Sequence, residues 1–245
     1  MTDDILRRQL APTGTLRAGT NLSNFLLVTG RGPAGEPQGV SPDMAAAVAA
    51  RLGVPVTYVT FDSPGALADA VDSDMWDIAL IGAEPQRAEK IAFTAAYCEI
   101  QATYLVPAGS PIREIAEVDR PGIRIAVTGW AAYGLWLERN IRHAQLVRTD
   151  SLDSAYDRFL ADGLEVLAGL RPRLLSDVEK LPGARILDGQ FSAVQQAIGT
   201  PRGNVEGAAF LQALVEELKA GGHVARLIER HGVGAGLSVA PPSRA

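Results

Sequence analysis

Residues 79–97, ALIGAEPQRAEKIAFTAAY, leave a short apolar segment through a Gly-to-Pro turn, deliver Arg87, and enter a second apolar and aromatic segment. The apolar segment and the residues just before it, DIALI at 77–81, read as a buried β-strand. An arginine just past a strand end takes its meaning from the order of elements on either side.

Upstream, TLRAGT at 15–20 is a strand, followed by the polar loop NLSN and a Gly/Pro-rich connector, GRGPAGEPQG. SPDMAAAVAARLG reads as a helix with Ser41 as N-cap, Pro42 in the first helical position, Asp43 at the positive end of the dipole and Gly53 as the stop. PVTYVTF at 55–61 is a β-branched strand, and Ser63 before Pro64 opens a second helix. Strand, helix, strand, helix, strand predicts a parallel sheet with right-handed crossovers.

Downstream the same grammar repeats. Strands are expected at 123–127, 145–148 and 165–168. Helices are expected from the TGWAAYG turn to about Arg142, over 151–161, and in RPRLLSDVEKL. The last strands are 185–187 and 193–198. Two helices follow, NVEGAAFLQALVEELKAGG and HVARLIERHG, then a tail read as loose, GLSVAPPSRA. The final helices have no sheet of their own, so the economical arrangement returns them to the first unit. The expected division is residues 1–104 with 197–245 as one lobe and 105–196 as the other. Segments 103–107 and 192–198 would cross between them as a two-strand hinge. Open α/β sheets take ligands beyond the carboxyl ends of their strands, so Arg87 is expected to face the cleft between lobes. The alternative is a surface pair with Asp62 or Glu84.

Composition excludes several classes. The 245 residues suit two α/β lobes; 47% hydrophobic and 21% charged content describes a globular chain, and a net charge of −5 gives no basic surface for nucleic acid. No run approaches a membrane span of about 20 apolar residues, so no membrane insertion is expected. Cys98 is the sole cysteine and is expected to be a buried small hydrophobe, with no disulfide and no multi-cysteine metal site. His143, His223 and His231 are placed near helix C-terminal ends and give no metal spacing, and the Gly-rich connector lacks the Lys-Ser/Thr of a phosphate loop. No cofactor is expected. The start, MTDDILRRQL, has two aspartates first and Arg7, Arg8 and Gln9 breaking its apolar cluster, which is no export signal. Met1 as native start would place the chain in the cytoplasm.

Four stretches resemble the type II periplasmic solute-binding proteins, specifically the family 3, amino-acid-type components of ABC transporters: GTLRAGT, GVSPDMAAAVAARLG, EPQRAEKIAFTAAY and GIRIAVTGWAAYGLWLE. The third is similar to the family's Thr-Pro-Glu-Arg block with its downstream Phe-Ser/Thr-x-x-Tyr and is the most specific. The likeness covers residues 15–232. It implies a two-lobed α/β fold, each lobe a mixed, mostly parallel sheet flanked by helices. It also implies a non-enzymatic, monomeric receptor in the periplasm that closes on a small carboxylate ligand and docks on an ABC permease. By motif position Arg87 takes the carboxylate clamp; a planar guanidinium suits this because it pairs bidentately and stays charged when desolvated.

Departures from the family pattern shape the expected ligand. The turn before the arginine reads Gly82-Ala83-Glu84 instead of carrying hydroxyls. Val40 and Ser41 stand for an aromatic and an aspartate, and Ala131-Ala132 beside Trp130 for a hydroxyl pair. Where amino-acid binders place an aspartate for the ligand ammonium, the chain has Gly169-Leu170-Arg171. A small carboxylate, with an aromatic or apolar body, is expected over a zwitterionic amino acid. Glu84 and Glu99 remain alternative acids for an ammonium. Asn21, Ser23, Asn24 and Ser63 are further ligand candidates or turn and cap residues. Trp130 and Tyr133 either cover a ligand or pack on the sheet; Glu99, Gln101, Gln195 and Gln196 flank the crossings, and Trp76 reads as core. The alternatives in function are an enzyme resembling the cyclohexadienyl or arogenate dehydratases of the same fold, with Glu84 as acid, and a cytosolic ligand sensor.

Overall fold

The structure, a computed structural model, describes residues 2–243. In chain order the elements are α1 (Thr2–Leu10), β1 (Leu16–Asn21), β2 (Gly30–Arg31), β3 (Pro37–Gln38), α2 (Val40–Leu52), β4 (Val56–Phe61), α3 (Pro64–Asp69), β5 (Ile78–Gly82), β6 (Ile91–Phe93) and β7 (Cys98–Val106). Then come β8 (Arg124–Thr128), α4 (Ala132–Asn140), β9 (Gln145–Thr149), α5 (Leu152–Ala161), β10 (Val166–Leu170), α6 (Arg171–Val178), β11 (Arg185–Ile186) and β12 (Ser192–Pro201). The last are α7 (Val205–Ala220), α8 (His223–Arg230) and β13 (Ser238–Val239). The chain forms two compact units, one of residues up to Glu99 together with those from Gln195 on, the other Ile100–Val194. It leaves the first along β7 and returns along β12.

In the first unit β1 lies between β4 and β5, all parallel, with Asn21 opposite Phe61 and Ala18 opposite Ile78. β12 runs antiparallel to β5. Every residue of β5 is buried, which is why it reads as an unbroken apolar run and not as an alternating one. Leu67, Trp76, Ala79, Ile81 and Ile91 form a core on this sheet, with Trp76 Nε1 donating to Leu67 O at 3.1 Å. The parallel pattern puts the carboxyl ends of β1, β4 and β5 on one edge, and the segments after them carry the first unit's candidate residues. A partly buried ion pair ties the opposite end: Asp77 accepts from the Arg17 backbone N–H at 2.8 Å and from its guanidinium Nη2 at 2.7 Å.

The second unit repeats the plan. β8 lies between β9 and β10, all parallel, and β7 and β11 pair antiparallel. Leu105, Ala126, Phe159, Leu164, Leu167 and Leu174 pack as its core. α5 starts as Ser151 suggests: the hydroxyl accepts from Ser154 N, and the Ser154 side chain reaches back in a capping box.

Several local expectations fail for identifiable reasons. α2 begins before Ser41: its N-cap is Gly39, at φ 146°, where a Cβ would lie 2.2 Å from Leu27 O. Ser41 is then inside the first turn, buried, with its hydroxyl 2.9 Å from the fully buried Tyr97 Oη. Pro42 still costs nothing there, because first-turn N–H groups have no intrahelical acceptor. The Gly/Pro connector contains a small hairpin of β2 and β3. The tail is docked, not loose: β13 pairs with β7, Ala240 N donates to Tyr97 O, and Leu237 and Ala240 are buried. Residues 244–245 of that tail lie outside the described residues. His223 opens α8 instead of closing α7; burial and then Arg226 and Arg230 hold its basicity below the usual imidazole value. Cys98 is buried with a free thiol, pushed well above its ordinary pKa by that burial. Among the described residues no helix is long and apolar enough to cross a membrane.

Candidate functional site

The first unit's site is built on the end of β5. The strand stops at Gly82, where Ala83 N donates to Gln195 O at 2.8 Å, and Pro85 turns the chain, with Ala88 N donating to Glu84 O, into a 3-10 turn at Arg87–Glu89 closed by Lys90 N to Arg87 O at 3.2 Å. This folds Arg87 back onto its own strand end. Its guanidinium Nη1 donates to Gly82 O at 2.7 Å, and the residue is only 8% exposed. Desolvation is the larger influence on it; the attraction of Glu84 and then of Asp69 opposes, and the net effect is a pKa lowered to about 10. Arg87 therefore remains charged at neutral pH, at a burial cost of roughly 3 kcal/mol against its charged form. Glu84, the nearer of the two acids named for a surface pair, is buried along with Arg87 and attracts it, Asp62 is exposed, and the second acid acting on Arg87 is Asp69, at the end of α3. Nothing in the local sequence around Arg87 signals Asp69; only the fold brings it near.

The other candidates of this unit stand on the same edge. Asn21 closes β1, and its Oδ1 accepts from Ser23 N at 3.1 Å and Ser23 Oγ at 2.8 Å. Asn24 Oδ1 accepts from Leu26 N at 3.2 Å. Both carboxamide oxygens are spent on local turns, and the amide N–H groups are the part left to serve a ligand. Ser63 caps α3, accepting from Ala66 N at 3.1 Å, so only its hydroxyl hydrogen remains to donate. Gln195 donates to Glu99 at 3.0 Å.

The second unit's candidates follow β8 and β10. After Thr128 the chain passes through Trp130 at φ 62°, 70% exposed, to Ala131, which caps α4 without a side-chain hydrogen bond. Gly134 lets α4 approach the strand end: a Cβ there would sit 2.4 Å from Thr128 O. Tyr133 turns inward, 2% exposed. Neither its hydroxyl nor the buried Thr128 hydroxyl reaches full hydrogen-bond geometry, although Thr128 is close enough to act on the Tyr133 phenol. Burial drives the Tyr133 phenol up to about 12, with Thr128 and Arg173 pulling the other way. A buried hydroxyl that falls short of a full hydrogen bond is a net cost, so Tyr133→Phe is expected to leave stability unchanged or raise it by up to about 1 kcal/mol, read as the urea midpoint. Leu170 is buried at the start of α6. Arg171, its neighbour, donates from Nε to Gln101 Oε1 at 2.9 Å and from Nη2 to the carbonyls of Leu187 and Gly189. Among the described residues no group of three or more His, Cys, Asp and Glu is arranged for a metal ion.

The family model of bacterial extracellular solute-binding proteins, family 3, matches residues 17–234. No curated protein matches the chain. Among solved structures, a mutant of ArgBP from T. maritima superposes with a TM-score of 0.72 at 19% identity, covering 95% of this chain and 99% of that one. An amino acid ABC transporter substrate-binding protein from Streptococcus pneumoniae, bound to L-arginine, gives 0.72 at 18% identity over 98% and 99%. The ancestral amino acid-binding protein AncCDT-1, a precursor of cyclohexadienyl dehydratase, gives 0.71 at 20% over 94% and 98%. At such identities these structures speak to the fold.

Proposed function

The chain belongs to the bacterial extracellular solute-binding proteins of family 3, and on that premise we propose that it captures a small carboxylate-bearing solute, an amino acid or organic acid, for an ABC-type importer. Arg87 is the observation that carries the proposal. It is a guanidinium buried at a strand end, where desolvation outweighs the help of its acidic neighbours. A solute carboxylate would offset that cost through a bidentate, charge-assisted pair. Asn21, Asn24 and Ser63 stand along the same edge with donors to offer, and Gly82 holds the guanidinium in place.

The test is a thermal-shift screen of amino acids and organic acids. A solute at a hundred times its Kd adds about 2.7 kcal/mol to stability. For a chain of this size that is a rise of roughly 5–10 °C. A screen in which no carboxylate moves the transition contradicts the proposal.

One observation favours a second reading: Glu84 is a buried carboxyl beside Arg87, the acid that a dehydratase reading would use. A single carboxyl is little support for proton chemistry against a match to a family of solute-binding proteins, so the receptor is the better reading. Steady loss of prephenate in a spectroscopic assay would reverse that order.

A further inference from the structure

One peptide group joins Arg87 to the strand that re-enters the first unit. The carbonyl of Gly82 accepts from the Arg87 guanidinium at 2.7 Å, and the N–H of the same peptide, carried by Ala83, donates to Gln195 O at 2.8 Å. In a trans peptide these two groups point in opposite directions. The guanidinium and the Gln195 carbonyl therefore grip one planar unit from its two sides. Holding Gln195 in place holds the plane, and with it the oxygen to which the cation is bonded. Bonds arranged in series in this way also polarise and strengthen one another.

Gln195 is itself held from its side chain. It is the first residue of the returning segment, and Glu99 is the last of the departing one. Gln195 Nε2 donates to Glu99 Oε1 at 3.0 Å, and beside this contact Tyr97 N donates to Gln196 O at 2.8 Å. The tail supports Glu99 in turn: Ser238 stands opposite Glu99 and Val239 opposite Cys98 in the pairing of β13 with β7. α7 secures that tail through Lys219, whose Nζ donates to Pro241 O at 2.9 Å and to Ala96 O at 3.1 Å. All of these residues belong to the first unit. The contact between the Gln195 and Glu99 side chains is more than strand pairing requires, since a ladder uses backbone atoms alone.

We propose that Gln195 and Glu99 are positioning residues for Arg87: their side-chain bond fixes the Gly82–Ala83 peptide, and the peptide fixes the guanidinium. That the guanidinium has a solute to meet rests on the receptor reading above; the way it is held does not.

Nitrogen-15 NMR of the unliganded protein tests this, through the rotation of the Arg87 Nη groups and the hydrogen exchange of the Ala83 amide. Gln195→Met and Gln195→Glu, the second setting a carboxylate against Glu99, should free the Nη rotation. They should also speed exchange at Ala83 by about 10-fold, the worth of one hydrogen bond, while amides of the central strand β1 stay as they are. Glu99→Gln keeps an acceptor and should match the wild type. Gln195→Glu combined with Glu99→Gln again sets a donor against an acceptor and should restore both signals. Arg87 and Ala83 signals that ignore Gln195→Met and Gln195→Glu overturn the inference, as does an equal rise of exchange throughout β1. The receptor reading is tested separately, by the response of Arg87→Met to the panel of amino acids and organic acids. If the Gln195 variants release the guanidinium while Arg87→Met is stabilised as the wild type is, the positioning role stands and the receptor reading fails. If they release nothing while Arg87→Met alone loses its response, the reading stands and the inference is wrong.

Discussion

Arg87→Met is expected to abolish the rise in melting temperature that a carboxylate solute gives the wild type, while the unliganded variant still folds. In a solute complex the guanidinium would supply two charge-assisted hydrogen bonds in a dry setting. Removing one partner of such a pair costs about 2–5 kcal/mol, or roughly 30- to 5,000-fold in Kd. The unliganded protein is affected by opposing terms. It loses the bond to Gly82 O and the attraction of Glu84, but it also escapes the desolvation that holds the guanidinium near a pKa of about 10. Methionine fills much of the same volume without charge. A small change in the unliganded midpoint, with the ligand-induced shift gone, separates this role from a structural one.

Asp77→Ala should have the largest effect on stability. Asp77 is 3% exposed, and its carboxylate serves both the backbone N–H and the guanidinium of Arg17, whose pKa it holds far above the usual value together with Asp74. Alanine leaves a half-buried guanidinium with only the exposed Asp74 and strands an N–H at the start of the central strand β1. The stranded N–H and the lost charge-assisted hydrogen bonds cost about 2–3 kcal/mol, a fall of roughly 5–10 °C in Tm. Asp77→Asn should lose less, because its carbonyl oxygen can still accept from Arg17 N. Adding Arg17→Met to Asp77→Ala should recover part of the loss. A midpoint within 1 °C of wild type for Asp77→Ala would show the pair to be dispensable.

Much of the architecture was legible because its signals are local. The unbroken apolar run of β5, the Ser63-Pro64 start of α3 and the Ser151 cap of α5 each depend on residues within a few positions, and each appears within a residue or two of its reading. The misreadings share a different cause. The start of α2 is set by Gly39 against Leu27 O and by Ser41 reaching Tyr97, 56 residues away. The docking of the tail on β7 depends on a strand partner that only the fold supplies. His223 was displaced by the short Gly221-Gly222 break, which ends one helix and begins the next.

The site divides in the same way. Arg87 could be singled out from its place after a strand and from the family block, and its bond to Gly82 is local, but its depth and the influence of Asp69 are products of tertiary packing. Tyr133 lies in the first turn of α4 and is turned inward, whereas Trp130 precedes the cap in a left-handed conformation and is left exposed. Sequence spacing did not separate them.

The most direct measurement is the distance from the Arg87 guanidinium to the solute in a structure solved with the most stabilising carboxylate of the screen. Two N–H···O contacts of about 2.7–2.9 Å to one carboxylate are predicted. A bound solute whose carboxylate lies on other residues, with Arg87 keeping only protein partners, would contradict the account.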